Sequence, residues 1–228
     1  MQSSVISVVI PAYNEEKTIG DVIYSTISTM ENSRMPYEII VVDDGSTDNT
    51  RRIATRYKAT VLSNGKNKGK GYTLRKGFRY AQGDIVVTVD SDGTHKPKEI
   101  PDIIYPLFNG VDIVAGSRFL GHVNNSTSRL NQLGNFLFNV IIMILTGKRI
   151  TDSQTGFRAF KKEVLQGTNL ESIGYEIETE ITVKGLKNGF VYQEKPINCK
   201  KRTYNISKLK ILSDGVKILK TIFKAKFT

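Results

Sequence analysis

Asp90 and Asp92 stand two residues apart at the end of the run Asp84-Ile-Val-Val-Thr-Val-Asp90-Ser91-Asp92. The Ile, Val and Thr residues favour a buried strand, and side chains at i and i+2 project to one side of an extended backbone. Two convergent carboxylates suit a hard divalent cation, which takes oxygen ligands. An isolated Asp-x-Asp can equally solvate a loop after a strand, so the pair gains meaning only from its surroundings. Three further polar clusters follow apolar runs: Pro11-Ala-Tyr13-Asn-Glu15, Asp43-Asp44-Gly45-Ser46 and Gly116-Ser-Arg118-Phe119.

Each cluster needs elements to hold it. Val5–Ile10 reads as a strand closed by Pro11, and Asn14-Glu15-Glu16 supplies a cap and acidic first turn for a helix to about Glu31. A strand from Tyr37 to Val42 runs into the Asp43-Asp44-Gly45 turn, followed by a helix through Ile53 to Tyr57 and a short strand from Ala59 to Leu62. A Gly/Lys-rich loop from Asn64 to Gly71 then leads into a helix to about Gln82 and the strand that ends at Asp90. Strands alternating with helices predict right-handed parallel crossovers and a sheet covered on both faces. Ligands in such folds sit at the carboxyl ends of strands, so the polar clusters are expected to face one crevice. Farther on, the pattern predicts a helix from Lys98 to Phe108, a strand at Val111–Ala115 and a loop at Asp152–Phe160 leading into a helix. A helix between Gly174 and Gly189 and a strand from Phe190 to Ile197 follow.

At 228 residues the chain can bury a sizeable core, and 39% hydrophobic with 24% charged residues is a globular composition. The net charge of +11 and pI near 9.6 favour a polyanionic partner, whether nucleic acid, acidic membrane surface or phosphorylated substrate. No nucleic-acid-binding motif appears, so nucleic acid is not expected as the partner. The single cysteine, Cys199, excludes an intrachain disulfide and suits a reducing compartment. Met1-Gln-Ser-Ser carries no basic leader, so no signal peptide and a cytoplasmic setting are expected.

Two segments are unusually apolar. Phe136–Leu145 is hydrophobic almost all round, yet falls well short of the roughly 20 residues that span a bilayer. It is either buried or inserted in a membrane interface. From Ser207 to Thr228, Leu209, Leu212, Val216, Leu219 and Phe223 recur at helical spacing, with Lys210, Lys217, Lys220 and Lys224 opposite. Such a basic amphipathic helix either docks on the core or lies on anionic headgroups.

Taken together, Val9-Ile-Pro-Ala-Tyr-Asn-Glu-Glu16, Val41-Val-Asp-Asp-Gly-Ser-Thr-Asp48, Val89-Asp-Ser-Asp92 and Gly116-Ser-Arg-Phe119 resemble the inverting family 2 glycosyltransferases. In the second half, Asp152-Ser-Gln-Thr-Gly-Phe-Arg158, Glu194-Lys-Pro-Ile197 and Arg202-Thr-Tyr-Asn-Ile-Ser-Lys-Leu209 are similar to motifs of the synthases that glycosylate polyprenyl or dolichyl phosphate, the dolichyl-phosphate mannosyltransferases above all. The resemblance implies an α/β GT-A fold, Rossmann-like, with a mostly parallel sheet flanked by helices and a C-terminal amphipathic helical extension. A catalytic domain over 1–204 and an extension over 205–228 are expected. The family would use Pro11, Tyr13, Glu15, Asp43, Asp44, Asp90 and Ser91 to bind a nucleoside-diphosphate sugar, GDP-mannose first and UDP-glucose second. Asp90 and Asp92 would hold Mg²⁺ or Mn²⁺ on the diphosphate. Arg118, Arg129, Arg202, Ser207 and Lys208 would bind the acceptor phosphate, with Asp92, Arg118 and Arg202 closest to the chemistry. Asp44 would orient its loop, and Asp152 and Arg158 would shape the acceptor loop. Peripheral attachment to the cytosolic membrane face is implied, with a membrane-spanning partner subunit left open.

The chain departs from that pattern at Thr94, where the mannosyltransferases carry Gln, and at Asn205, where they carry Gly. Either weakens the choice of donor more than the choice of reaction. His95 is a candidate contact to metal or phosphate. Processive relatives carry a Gln-x-x-Arg-Trp motif and this chain has no Trp, so a single transfer is expected rather than polymer synthesis.

Overall fold

The computed structural model describes residues 4–120, 129–202, 204 and 211–227. Its frame is a seven-stranded sheet with β1 (Ile6–Ala12) near the middle, paired in parallel with β2 (Tyr37–Asp43) on one side and β4 (Ile85–Thr88) on the other. The order is β3 (Thr60–Ser63), β2, β1, β4, β6 (Arg158–Lys161), β5 (Ile113–Ser117) and β7 (Tyr192–Pro196). Strand alternation divides the apolar residues between two faces. Ile6, Val8, Ile10, Val41 and Val87 pack under helix α1 (Ile19–Ser33) and the short helical segment from Pro97 to Asn109, which contains α4 (Ile100–Ile104). Val9, Ile40, Val42, Val86 and Phe160 face the other way, toward α3 (Lys70–Tyr80) and α7 (Ile177–Lys187). The remaining helices are α2 (Thr50–Ala54), α5 (Arg129–Thr146), α6 (Lys162–Gly167) and α8 (Ile211–Phe227).

The sequence reading of Asp152–Phe160 as a loop into a helix is corrected at its end. Arg158–Lys161 is a strand, antiparallel to both β4 and β5, so one antiparallel strand interrupts the otherwise parallel pairing. Four residues carry no readable period, and the strand begins with an arginine that is only 1% exposed. That arginine is tolerated because its guanidinium donates to Thr155 O and Ser153 O, at 2.8 and 2.7 Å, and to Thr182 Oγ1. It thereby ties the 152–157 loop into the sheet.

Helix α5 is neither wholly buried nor wholly exposed, and Phe138, Ile141 and Leu145 pack partly on the core. Its buried side chains are Asn135, Asn139 and Ile142, whereas Leu130, Leu133, Phe136, Leu137, Met143 and Ile144 are exposed. Asn139 donates to Thr151 O at 2.8 Å and accepts from Ser153 N at 3.1 Å, and Asn135 also donates to Thr151 O. The helix therefore turns its amides to the protein and much of its apolar surface to the outside. Helix α8 divides differently: Ile218, Ile222 and Ala225 are buried, while Val216, Leu219, Phe223 and Phe227 are exposed beside Lys217, Lys220 and Lys224. It packs on α7 and α5. Among the described residues no helix is long and apolar enough to cross a membrane.

This orientation of α5 predicts an inverted ranking of substitutions. Asn139→Ala removes the acceptor of the buried Ser153 N–H and one of the two donors to Thr151 O, and is expected to cost roughly 1–3 kcal/mol in urea unfolding. Ile144→Gln, at a side chain 74% exposed, is expected to stay within about 0.5 kcal/mol. A larger loss at Ile144 than at Asn139 would contradict the orientation.

Candidate active site

The carboxyl ends of β1, β2 and β4 open into a cleft of about 780 Å³. Pro11, Tyr13, Glu15, Asp44, Asp90, Ser91, Asp92 and Arg202 all line it, so the sequence clusters at three strand ends converge with Arg202. Ser213, Asp214 and Lys217 add one wall from α8. The first cluster is shaped by Asn14, whose φ of 54° turns the chain sharply after β1. Its side-chain oxygen accepts from Thr47 N at 2.8 Å, joining the first two polar clusters.

Asp44 is 4% exposed and holds the following loop, its carboxylate accepting from Lys68 N, Gly69 N and Asn64 Nδ2 at 2.8–2.9 Å. Gly69 is required there by its φ of 96°, and α3 begins at the next residue. Asp43 is also turned into the protein, accepting from Ser46 N and Ser63 Oγ at 3.2 Å each, and it is not among the cleft-lining residues.

Asp90 is restrained from several directions. Lys70 Nζ lies 2.7 Å from its Oδ1 and, on its other side, 2.7 Å from Glu178 Oε1. His95 stacks on Phe157 and points Nδ1 toward Asp90 Oδ2 at 3.7 Å. The backbone at Gly156 passes so close that an added Cβ would overlap both carboxylate oxygens of Asp90. Burial opposes ionisation of Asp90, but the Lys70 ammonium outweighs it and holds the carboxyl below its usual range. Burial likewise opposes the charge on Lys70, and Asp90 with Glu178 more than offsets it, so the ammonium persists well above its ordinary range. His95 is pushed down by burial and stays neutral near pH 7.

Asp92 accepts from Thr94 N and Oγ1 at 3.0 and 2.7 Å, so Thr94 has its hydroxyl on the second carboxylate. Its Oδ2 lies 3.4 Å from Arg202 Nη1, and the same guanidinium pairs with Glu15. Arg118 is committed differently: Nε and Nη2 make a fork on Asp152 at 2.7 and 2.8 Å, and its backbone N–H donates to the same carboxylate. Burial disfavours its charge and Asp152 restores it, leaving the guanidinium raised. Glu194 supports this arrangement by accepting from the backbone N–H groups of Thr151 and Asp152. Arg118 does not line the cleft, although its charge reaches Asp90 and His95. Of the other expected phosphate ligands, Ser207, Lys208 and the side chain of Arg129 lie outside what the structure describes.

Sequence reasoning passed over Lys70 and Glu178. Lys70 was one lysine in a Gly/Lys-rich loop, and Glu178 stood among Glu176 and Glu180 in a helix with no charge pattern marking it as buried. The close approach at Gly156 could have been suspected from a glycine inside Asp152–Arg158.

The donor set fits a hard divalent cation. Among the described residues no group of three or more His, Cys, Asp or Glu side chains could hold a metal, so Asp90 and Asp92 need oxygens from a ligand to complete a coordination shell. Mg²⁺ is commonly bound in this way, by one or two carboxylates plus substrate phosphates. Gly156→Ala is expected to displace the Asp90 carboxylate and weaken Mn²⁺ binding about tenfold or more, with thermal unfolding shifted by only a few degrees. Unchanged Mn²⁺ affinity would show that the close approach does not position Asp90.

Comparisons with known proteins bear on the family and the fold. The glycosyl transferase family 2 model matches residues 7–168. Dolichol-phosphate mannosyltransferase of Pyrococcus furiosus is 34% identical over 90% of this chain, which spans 59% of that enzyme. A UDP-N-acetylglucosamine–dolichyl-phosphate N-acetylglucosaminyltransferase of Methanococcus voltae is 31% identical over 99% of this chain and 98% of its own length. Among solved structures, glucosyl-3-phosphoglycerate synthase of Mycobacterium tuberculosis, in complex with Mn²⁺, UDP-glucose and phosphoglyceric acid, superposes with a TM-score of 0.76 and 25% identity over 98% of this chain and 80% of that one. With its seven-stranded sheet, its carboxylates at the strand ends and the family match over most of its length, the chain belongs to glycosyl transferase family 2 and is a glycosyltransferase.

Proposed function

We propose that the protein transfers one hexose, with inversion at the anomeric carbon, from a nucleoside diphosphate to the phosphate of a polyprenyl or dolichyl lipid at the cytosolic membrane face. The observation that carries this reading is the meeting of Asp92 and Arg202, 3.4 Å apart in one cleft. A carboxylate suited to the donor's cation and an arginine suited to an acceptor phosphate thus share one space. The names of the Pyrococcus and Methanococcus relatives, which both specify dolichyl phosphate, point the same way. GDP-mannose is the first donor to test and UDP-glucose the second.

The chemistry follows from charge. A lipid monophosphate has its second pKa near 6, so the dianion that attacks the anomeric carbon needs no strong general base. It does need cations that hold it against the like charge of the donor, and Arg202 is the described arginine in the cleft that can supply this. Pro11, Tyr13 and Glu15 would bound the nucleoside, and the loop fixed by Asp44 would close the other side. A Mg²⁺ or Mn²⁺ ion bound at Asp90 and Asp92 would supply Lewis-acid stabilisation of the departing nucleoside diphosphate. Arg118, locked on Asp152, acts through its charge and through the loop it braces.

Attachment to a membrane surface is supported by the outward apolar side chains of α5 and by the exposed Val216, Leu219, Phe223 and lysines of α8. Because Ser213, Asp214 and Lys217 of α8 line the cleft, a helix resting on headgroups would set the cleft beside the lipid phosphate.

Vesicles containing anionic lipid and dolichyl phosphate, incubated with Mn²⁺ and labelled donors, test both parts together. The protein is expected to sediment with the vesicles and to label their lipid, and Asp92→Asn to abolish labelling with little change in thermal unfolding. Label appearing only on phosphate-free acceptors, or none from any common nucleotide sugar, would overturn the reading.

The pH profile is a second check. Asp90 is held below the ordinary carboxylate range, so its ion pair with Lys70 is present above that range and is lost only as the pH falls well below it. The acid limb of kcat/KM is therefore expected near pH 6, where the acceptor dianion takes up a proton. A limb near pH 4 would contradict a phosphate nucleophile.

A further inference from the structure

Lys70 occupies an odd position. It is the first residue of α3, and an ammonium at a helix N-terminus meets the positive end of the helix dipole. The first turn of α3 contains no acidic residue, and the Lys70 side chain is only 16% exposed, so hydration does little to offset either cost. What holds the charge there lies outside the helix: Asp90 Oδ1 from the end of β4 and Glu178 Oε1 from the first turn of α7, each 2.7 Å from Nζ. Glu178 is 3% exposed, and its one ion pair among the described residues is with Lys70.

We propose that Lys70 is the resident counter-ion of the metal site. It neutralises Asp90 when no divalent cation is bound, and it withdraws onto Glu178 when one arrives. This rests on the reading that Asp90 and Asp92 receive a divalent cation. An ammonium and a divalent ion against the same Asp90 oxygen repel one another at a few ångströms in a partly desolvated pocket, which favours a shift of the lysine to Glu178. Lys70 has a flexible four-carbon stem and a second carboxylate already in contact, so it can release Asp90 without becoming an unpaired buried charge. Glu178 is thus a positioning residue, a second seat for the ammonium rather than a metal ligand. Arg202 stands in the same relation to the other carboxylate, resting on Asp92 with Glu15 as its alternative partner. A divalent ion presented alone therefore has to displace the 2.7 Å ion pair between Lys70 and Asp90 to reach that carboxylate.

Two substitutions flanking the same contact should move metal affinity in opposite directions. The full-length chain is titrated with Mn²⁺ alone, without nucleotide, and free Mn²⁺ is followed by electron paramagnetic resonance. Lys70→Met is expected to tighten Mn²⁺ binding about tenfold, the scale on which groups around a metal site act. Glu178→Gln leaves Lys70 wholly to Asp90 and is expected to weaken it. The double variant relieves the uncompensated buried carboxylate of the single lysine replacement and is still expected to bind more tightly than the native chain, which guards against a folding defect. Binding by Lys70→Met that is equal to or weaker than native, with Mn²⁺ still held by the native chain and lost in Asp92→Asn, overturns the counter-ion role alone. Absence of Mn²⁺ binding to the native chain, Lys70→Met and the double variant overturns it together with the metal reading.

Discussion

The carboxylate of Asp90 has almost no freedom to leave the end of β4. The strand beneath it is paired on both sides, Lys70 holds one oxygen, and Gly156 packs so close that even a Cβ there would overlap both oxygens. Each restraint comes from a different part of the chain: the start of α3, the loop before β6 and, through Lys70, the first turn of α7. The loop that carries Lys70 is fixed by Asp44 at the end of β2, and the loop that carries Gly156 is fixed by the buried guanidinium of Arg158. Three separate parts of the chain are in this way braced on one side chain.

The same loop connects the cleft to the outside of the molecule. Asn135 and Asn139 of α5 grip Thr151 and Ser153, which flank the Asp152 carboxylate that forks onto Arg118. A helix with amides inward and leucines outward is poorly suited to water on its exposed side, and α8 beside it adds phenylalanines and lysines. The outward apolar face of α5 and the 151–158 loop beside Asp90 are thus mechanically continuous.

Much of this was legible in the sequence because it depends on period and punctuation. Strand alternation around Val8–Ile10 and Ile39–Val42, and the polar clusters that end those strands, fixed the sheet's parallel half and the location of the cleft. What escaped depended on partners distant in sequence. Arg158 is expected from the sequence to shape its loop, but nothing local marks it as the buried start of a strand with three acceptors, so β6 was not seen. Lys70 and Glu178 are separated by more than a hundred residues, and nothing local marks either as buried. The orientation of α5 escaped for a similar reason: hydrophobicity all round gives no direction, and only the acceptors at Thr151 decide that the asparagines turn inward.

The central claim is that Asp90 and Asp92 carry a divalent cation on the donor's diphosphate. Anomalous diffraction at the manganese edge, from crystals soaked with Mn²⁺ and a nucleoside-diphosphate sugar, addresses it most directly. The account predicts one strong peak in contact with both carboxylates and with diphosphate oxygens. A cation bound elsewhere, or a diphosphate seated in the cleft with Mn²⁺ present and no metal at Asp90 and Asp92, would contradict it.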